Sequence, residues 1–147
     1  MDMAVYTGLG KGESRRMRTV FLVTRHTDLS RFGAELDSRG FSVPVVAPEQ
    51  LASDEVGVRA DVVVLDLRDI PPAAFNVLCA NYAQENTILV TVVPTGGIDR
   101  VTADMAIDDF VMLDCPPEEL VRRIERALWS KHGVDSENNV RCGALAI

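Results

Sequence analysis

The sequence predicts one doubly wound α/β domain, built on a five-stranded parallel sheet with helices on both faces. Short apolar runs alternate with stretches of helical period, an order that requires crossover connections and therefore parallel strands. One run, Asp61-Val62-Val63-Val64-Leu65, ends in an acid at Asp66. In such a sheet, a carboxylate at a strand's carboxyl edge stands where ligands and chemistry gather.

The first strand is read at residues 19–23, an apolar run after Thr19. A helix over residues 28–38 follows, with Leu29, Phe32 and Leu36 on one face, and Gly40 stops it. The second strand, residues 41–46, contains Pro44, which has no N–H to give to a ladder and so belongs at a sheet edge. Residues 48–58 form at best a weak helix. The third strand ends at Asp66 or Leu67, Pro71-Pro72 breaks the chain, and residues 73–83 place Phe75, Leu78 and Tyr82 on a helical stripe. Residues 88–93 make the fourth strand, closed by Pro94-Thr95-Gly96-Gly97, whose glycines read as a turn. A short fourth helix is expected over residues 100–106 and a fifth strand over residues 110–113. Pro117 opens the last helix, where Glu118 and Glu119 suit the positive end of the dipole and Leu120, Ile124 and Leu128 face inward. The expected sheet order is 2-1-3-4-5.

A chain of 147 residues suits one compact domain of about 100–150 residues with short extensions. With 47% hydrophobic and 25% charged residues it reads as an ordinary soluble globular protein. No apolar stretch approaches the roughly 20 residues that span a bilayer. Residues 1–18 carry Lys11, Arg15, Arg16 and Arg18 without an apolar block. They read as a flexible arm rather than a secretory signal, and a cytoplasmic location is expected. Cys79, Cys115 and Cys142, odd in number and far apart, fit reduced thiols better than a disulfide framework or a zinc site. A net charge of -7 repels a polyanion, so this stretch by itself is a poor candidate for wrapping nucleic acid.

The run Asp108-Asp109-Phe110-Val111-Met112-Leu113-Asp114-Cys115-Pro116-Pro117-Glu118-Glu119-Leu120 is similar to one in bacterial response-regulator receiver domains. There, two acids and an aromatic strand precede a lysine-proline pair and a Pro-Glu-Glu-Leu helix start. The resemblance covers residues 19–131 and implies a flavodoxin-like (CheY-like) fold. Residues 130–139 are polar and without periodicity, as in a linker. Residues 140–147 resemble the first strand of the winged-helix DNA-binding domain of OmpR/PhoB-type transcription regulators. The implied organisation is a flexible arm (1–18), a receiver domain (19–131), and a linker with the first strand of an otherwise missing DNA-binding domain (132–147).

Receiver domains take a phosphoryl group from a histidine kinase on the strand-three aspartate, and Asp66 falls at that position. The transfer needs Mg²⁺, which demands oxygen ligands in near-octahedral geometry. The resemblance places Thr24 and Arg25 where the family has its acidic pair, and Leu113 where it has the lysine that pairs with the phosphoryl group. At 4 Å and an effective dielectric near 20, two unit charges interact by about 4 kcal/mol, so a guanidinium in place of a carboxylate opposes the metal strongly. Thr91 matches the switch hydroxyl and Phe110 the aromatic that rotates with it. The implied domain is a degenerate receiver with no catalytic residue, no metal and no cofactor. Arg25 is expected to pair with Asp66 and supply internally the missing positive charge.

The expected output is homodimerisation through the fourth helix, fifth strand and fifth helix, the two-fold face of OmpR/PhoB-type regulators. Asp109 and Arg123 match one crossed ion pair, Asp108 matches a second acid with Lys131 one residue past its partner position, and Arg100 and Glu119 offer a third. A patch that binds its own copy is the commonest route to an oligomer. The function implied is a non-enzymatic receiver module of a DNA-binding transcription regulator, reaching DNA through the missing domain and no membrane. The alternative is a phosphorylation-competent receiver that accepts a phosphoryl group on Asp66 from a histidine kinase, with Mg²⁺. A third reading, a flavin or phosphate ligand at Thr24-Arg25-His26-Thr27-Asp28-Leu29-Ser30, has hydroxyls and a helix N-terminus in its favour. It lacks a glycine for close backbone approach and aromatics to sandwich a flavin.

Overall fold

The computed structural model describes residues 17–52, 60–84 and 86–133. The readings made for residues 1–16 and 134–147, and for the expected second helix beyond residue 52, lie outside the described residues. In chain order the elements are β1 (Val20–Val23), α1 (Ser30–Ser38), β2 (Val45–Val46), α2 (Pro48–Ala52), β3 (Val62–Asp66), α3 (Pro72–Gln84), β4 (Ile88–Val93), β5 (Asp109–Met112) and α4 (Pro117–Leu128). The five strands form one parallel sheet in the order β2-β1-β3-β4-β5.

Because strand side chains alternate, β1, β3, β4 and β5 each feed two cores at once. Val20, Leu22, Val62, Val64, Val90 and Val92 pack with Phe32 and Leu36 of α1 and Leu120 and Ile124 of α4. Phe21, Val23, Val63, Leu65, Leu89 and Val93 face the other way, onto Phe75 and Cys79 of α3. Burial pushes the Cys79 thiol up to about 11, so it stays protonated at neutral pH.

Local chemistry sets the element ends. Gly40, at φ 95°, follows the C-cap of α1. The amides of Gly40 and Phe41 donate back to the carbonyls of Asp37 and Leu36 at 3.0 and 3.2 Å, an arrangement that needs a left-handed residue. Pro117 occupies the first turn of α4, with Glu118 and Glu119 beside it at the positive end. Pro44 accepts from the Leu22 amide at 3.0 Å but has no N–H to return. The expected strand over residues 41–46 therefore breaks into a Thr19–Ser42 bridge and the two-residue edge strand β2.

The expected fourth helix does not form. Residues 98–100 make a single 3₁₀ turn (Ile98–Arg100), and residues 101–108 run irregularly into β5. Val101, Met105 and Ile107 pack against the second core from irregular backbone. The Thr102 hydroxyl bonds the Asp104 carboxylate at 2.5 Å, a local contact that competes with helical backbone bonds. No described helix is long and apolar enough to cross a membrane.

Candidate functional site at the carboxyl edge of the sheet

Asp66 closes β3 with no exposed surface, so its carboxylate must be satisfied by protein groups. The Thr24 hydroxyl donates to Oδ2 at 2.7 Å, and Arg68 Nη2 donates to the same oxygen at 2.8 Å. The Arg68 amide and Nε donate to Oδ1 at 3.1 and 3.0 Å. The backbone contact follows from position: Asp66 caps the 3₁₀ turn Leu67–Asp69, which places Arg68 two residues on with its side chain folded back. Beyond Asp66, the same guanidinium reaches Asp28 through Nη1 at 3.0 Å and Nη2 at 2.7 Å. Asp66 and Asp28 together hold the Arg68 cation above its ordinary value, and the hydrogen bond from Arg68 holds the Asp28 carboxyl below the usual carboxylate range.

A second set of contacts ties the loop after β1 to this turn. Asp69 accepts from the Arg25 amide at 2.9 Å and lies 3.0 Å from His26 Nε2. The His26 amide donates to the Thr24 hydroxyl at 2.9 Å. Two further arginines fasten the neighbouring loops. Arg100 donates to the Leu67 and Ile70 carbonyls at 2.8 and 3.0 Å. Arg31, lying over the Phe32 ring at 4.3 Å, donates to the Leu113 and Cys115 carbonyls.

The internal cation expected at Asp66 is present, but it is Arg68 and not Arg25. Arg25 pairs with Glu49 on α2, and its side chain is half exposed. Strand pleating decides this, since Val23 sits opposite Leu65 in the β1–β3 register. The residue on the Asp66 face is therefore Thr24, and Arg25 is turned to the opposite one.

The same parity corrects the assignment of Thr91. It sits opposite Leu65, whereas the residue across from Asp66 is Val92. Thr91 is fully buried on the face away from Asp66, beside Phe110, and its hydroxyl has no partner among the described residues. Phe110 packs half-buried in the second core, so this pair lies behind the sheet from the acid. Leu113 packs against the first core and brings only its backbone carbonyl to Arg31. Replacing Thr91 by valine is expected to stabilise the domain by about 1 kcal/mol, because an orphaned hydroxyl is removed without changing shape. Chemical denaturation measures this, and a loss of stability would show that the hydroxyl is satisfied after all.

The residues expected to form a dimer face divide. Arg123 bridges Asp109 at 3.2 Å and Glu119 at 3.1 Å, and Lys131 reaches Asp108 at 3.2 Å. These five share the partly exposed side of β5 and α4. Arg100 does not join them, being engaged with the loop after Asp66, and the helix that was to carry it is absent. Within the chain Arg100 is held by the Leu67 and Ile70 carbonyls and Glu119 by Arg123, and the fourth helix expected on this face is replaced by the Ile98–Arg100 turn.

Sequence reading missed Arg68, Arg31 and Asp69. A signal for the first existed in the spacing Asp66-Leu67-Arg68-Asp69 ahead of Pro71-Pro72, an acid followed closely by a cation in a forced turn. Among the described residues, His26, Asp66 and Asp69 bring three ligand atoms within 4.8 Å of one another. The residues nevertheless do not fit the Mg²⁺ that the resemblance implies. Neither aligned position, Thr24 or Arg25, offers a carboxylate, and the Asp66 oxygens are engaged by a guanidinium.

No family model matches the chain, and no curated protein does. Solved structures do match. NtrX from Brucella abortus superposes with a TM-score of 0.70 at 15% identity, over 86% of this chain and 30% of its own. The chain thus spans under a third of that protein. The chemotaxis response regulator CheY4 of Vibrio cholerae gives a TM-score of 0.64 at 14% identity, covering 77% of this chain and 100% of its own. The signal receiver domain of a histidine kinase from Syntrophus aciditrophicus gives 0.63 at 15% identity, covering 78% and 92%. The chain therefore has the fold of response-regulator receiver domains.

Proposed function

We propose that this chain is the receiver module of a response regulator and that its output is self-association, independent of phosphoryl transfer and without enzymatic activity. One observation carries the reading: the two oxygens of Asp66 receive four donors, one from Thr24 and three from Arg68. Phosphoryl transfer to this acid requires an oxygen free to attack phosphorus and a cation able to coordinate the transferring group. Here the attacking oxygens are hydrogen-bonded, and the positive charge beside them belongs to a side chain. Val92 and Leu113 offer neither a hydroxyl nor an ammonium group.

The experiment is incubation with Mg²⁺ and a small phosphodonor, followed by intact mass. The expected result is an unchanged mass. A stable gain of one phosphoryl group at Asp66 favours the alternative, a receiver charged by a histidine kinase.

The self-association surface in this reading is β5 and α4. It carries both signs of charge, with Asp108, Asp109, Glu119, Arg123 and Lys131 already paired within one chain. Such pairs can exchange partners across a two-fold axis. We expect Arg123→Glu to lower the dimer population in concentration-dependent light scattering, and an unchanged distribution counts against this face. The attached effector is proposed to be a winged-helix DNA-binding domain, on the resemblance of residues 140–147. Fusing that domain class to this chain and measuring promoter binding with and without Arg123→Glu tests the coupling.

A further inference from the structure

We infer that the Arg68 guanidinium is a built-in competitor for a cation seat, an autoinhibitory contact that keeps Asp28 and Asp66 from engaging a divalent ion. This rests on the receiver reading above and adds what holds the pocket inactive. Arg68 Nη2 stands 2.8 Å from Asp66 Oδ2 and 2.7 Å from Asp28 Oδ1, so two carboxylates from different loops converge on one nitrogen. Nε and Nη1 take one further oxygen of each acid, both at 3.0 Å. A third carboxylate, Asp69, has an oxygen within 4.8 Å of an Asp66 oxygen. Two acids converging on one nitrogen, with a third near one of them, is a cation's environment, and this chain fills it with its own side chain.

The other nearby arginines are committed elsewhere. Arg25 is bound to Glu49, Arg31 to the carbonyls of Leu113 and Cys115, and Arg100 to those of Leu67 and Ile70. Neutralisation of Asp66 in this structure therefore comes from Arg68. Tethering favours it, because a side chain two residues from the acid competes at an effective concentration in the millimolar range or above. The strap is also openable. The Arg68 side chain is 24% exposed and its outer anchor, Asp28, is 51% exposed, while Asp66 is fully buried.

The test is a Mn²⁺ titration of the 147-residue chain, followed by calorimetry and thermal melting, on wild type, Arg68→Ala and Arg68→Met. Methionine keeps much of the stem packing while removing the charge. Wild type is expected to show no saturable binding. Both variants are expected to bind saturably, with a Kd at least about 100-fold below the highest Mn²⁺ concentration at which wild type shows no binding, since a unit positive charge leaves the site. Adding Asp28→Asn to Arg68→Met should reduce that gain, placing the ion between the two loops. If a variant unfolds in chelator, recovery of its circular-dichroism signal on adding Mn²⁺ supports the inference, and failure to recover overturns it. Folded variants that bind no better than wild type overturn it as well, while leaving the phosphate-independent reading in place. Saturable Mn²⁺ binding by wild type at Asp66 removes both.

Discussion

Arg68→Ala is expected to destabilise the domain by about 3–5 kcal/mol in metal-free buffer, the cost of leaving a buried carboxylate without its cation. Asp66 has no exposed surface, and Thr24 is its one other side-chain donor among the bonds seen. Chemical denaturation read by circular dichroism measures the loss. The companion variant Asp66→Asn with Arg68→Ala should recover most of it, because the amide oxygen still accepts from Thr24 while no charge remains to be compensated. A loss below about 1 kcal/mol for the single variant would mean that water already reaches the acid. The strap also has a pH signature. Asp28 titrates below its ordinary value of 3.8 in the folded chain because Arg68 bonds its charged form. Its contribution is therefore complete above that pH and disappears as the solution is acidified through the lower folded value. Arg68→Ala should abolish that acid-side component.

Phe32→Ala is expected to cost about 3–5 kcal/mol, through lost transfer free energy and the cavity left behind. Phe32 is fully buried between the sheet and the α1–α4 layer. It also carries the Arg31 guanidinium over its ring, and Arg31 holds the carbonyls of the loop leaving β5. The substitution should therefore lower hydrogen-exchange protection at the Cys115 amide, which donates to the Met112 carbonyl at 3.0 Å. Val121→Ala, at a fully buried position on α4, is the comparison. If both variants loosen that amide equally for their loss of stability, Arg31 has no special hold on the loop.

Much of the fold was legible because period and composition are local properties. The valine-rich runs, the Gly40 stop and the Pro117 start each encode a boundary in a few residues. The expected helix over residues 100–106 was misread because its apolar residues pack individually against the second core, while Thr102 and Asp104 bond each other. The site was legible in part. Asp66 at a strand end, the neutral Thr24 and the aliphatic Leu113 were visible, as was the need for a cation. Which arginine supplies it was not visible, since residues adjacent in sequence at a strand end point to opposite faces. A shift of one position exchanges Thr24 for Arg25 and Val92 for Thr91.

The amino-acid sequence alone determined a five-stranded parallel α/β domain with an acid at the carboxyl edge of its central strand, because hydrophobic alternation and chain breakers act over short distances. The tertiary structure alone decided what surrounds that acid. Sheet register turned Arg25 and Thr91 away from it, and the turn after β3 folded Arg68 back onto it. Both outcomes depend on pairing between strands and on the geometry of a single turn, and neither is written in the periodicity of the chain.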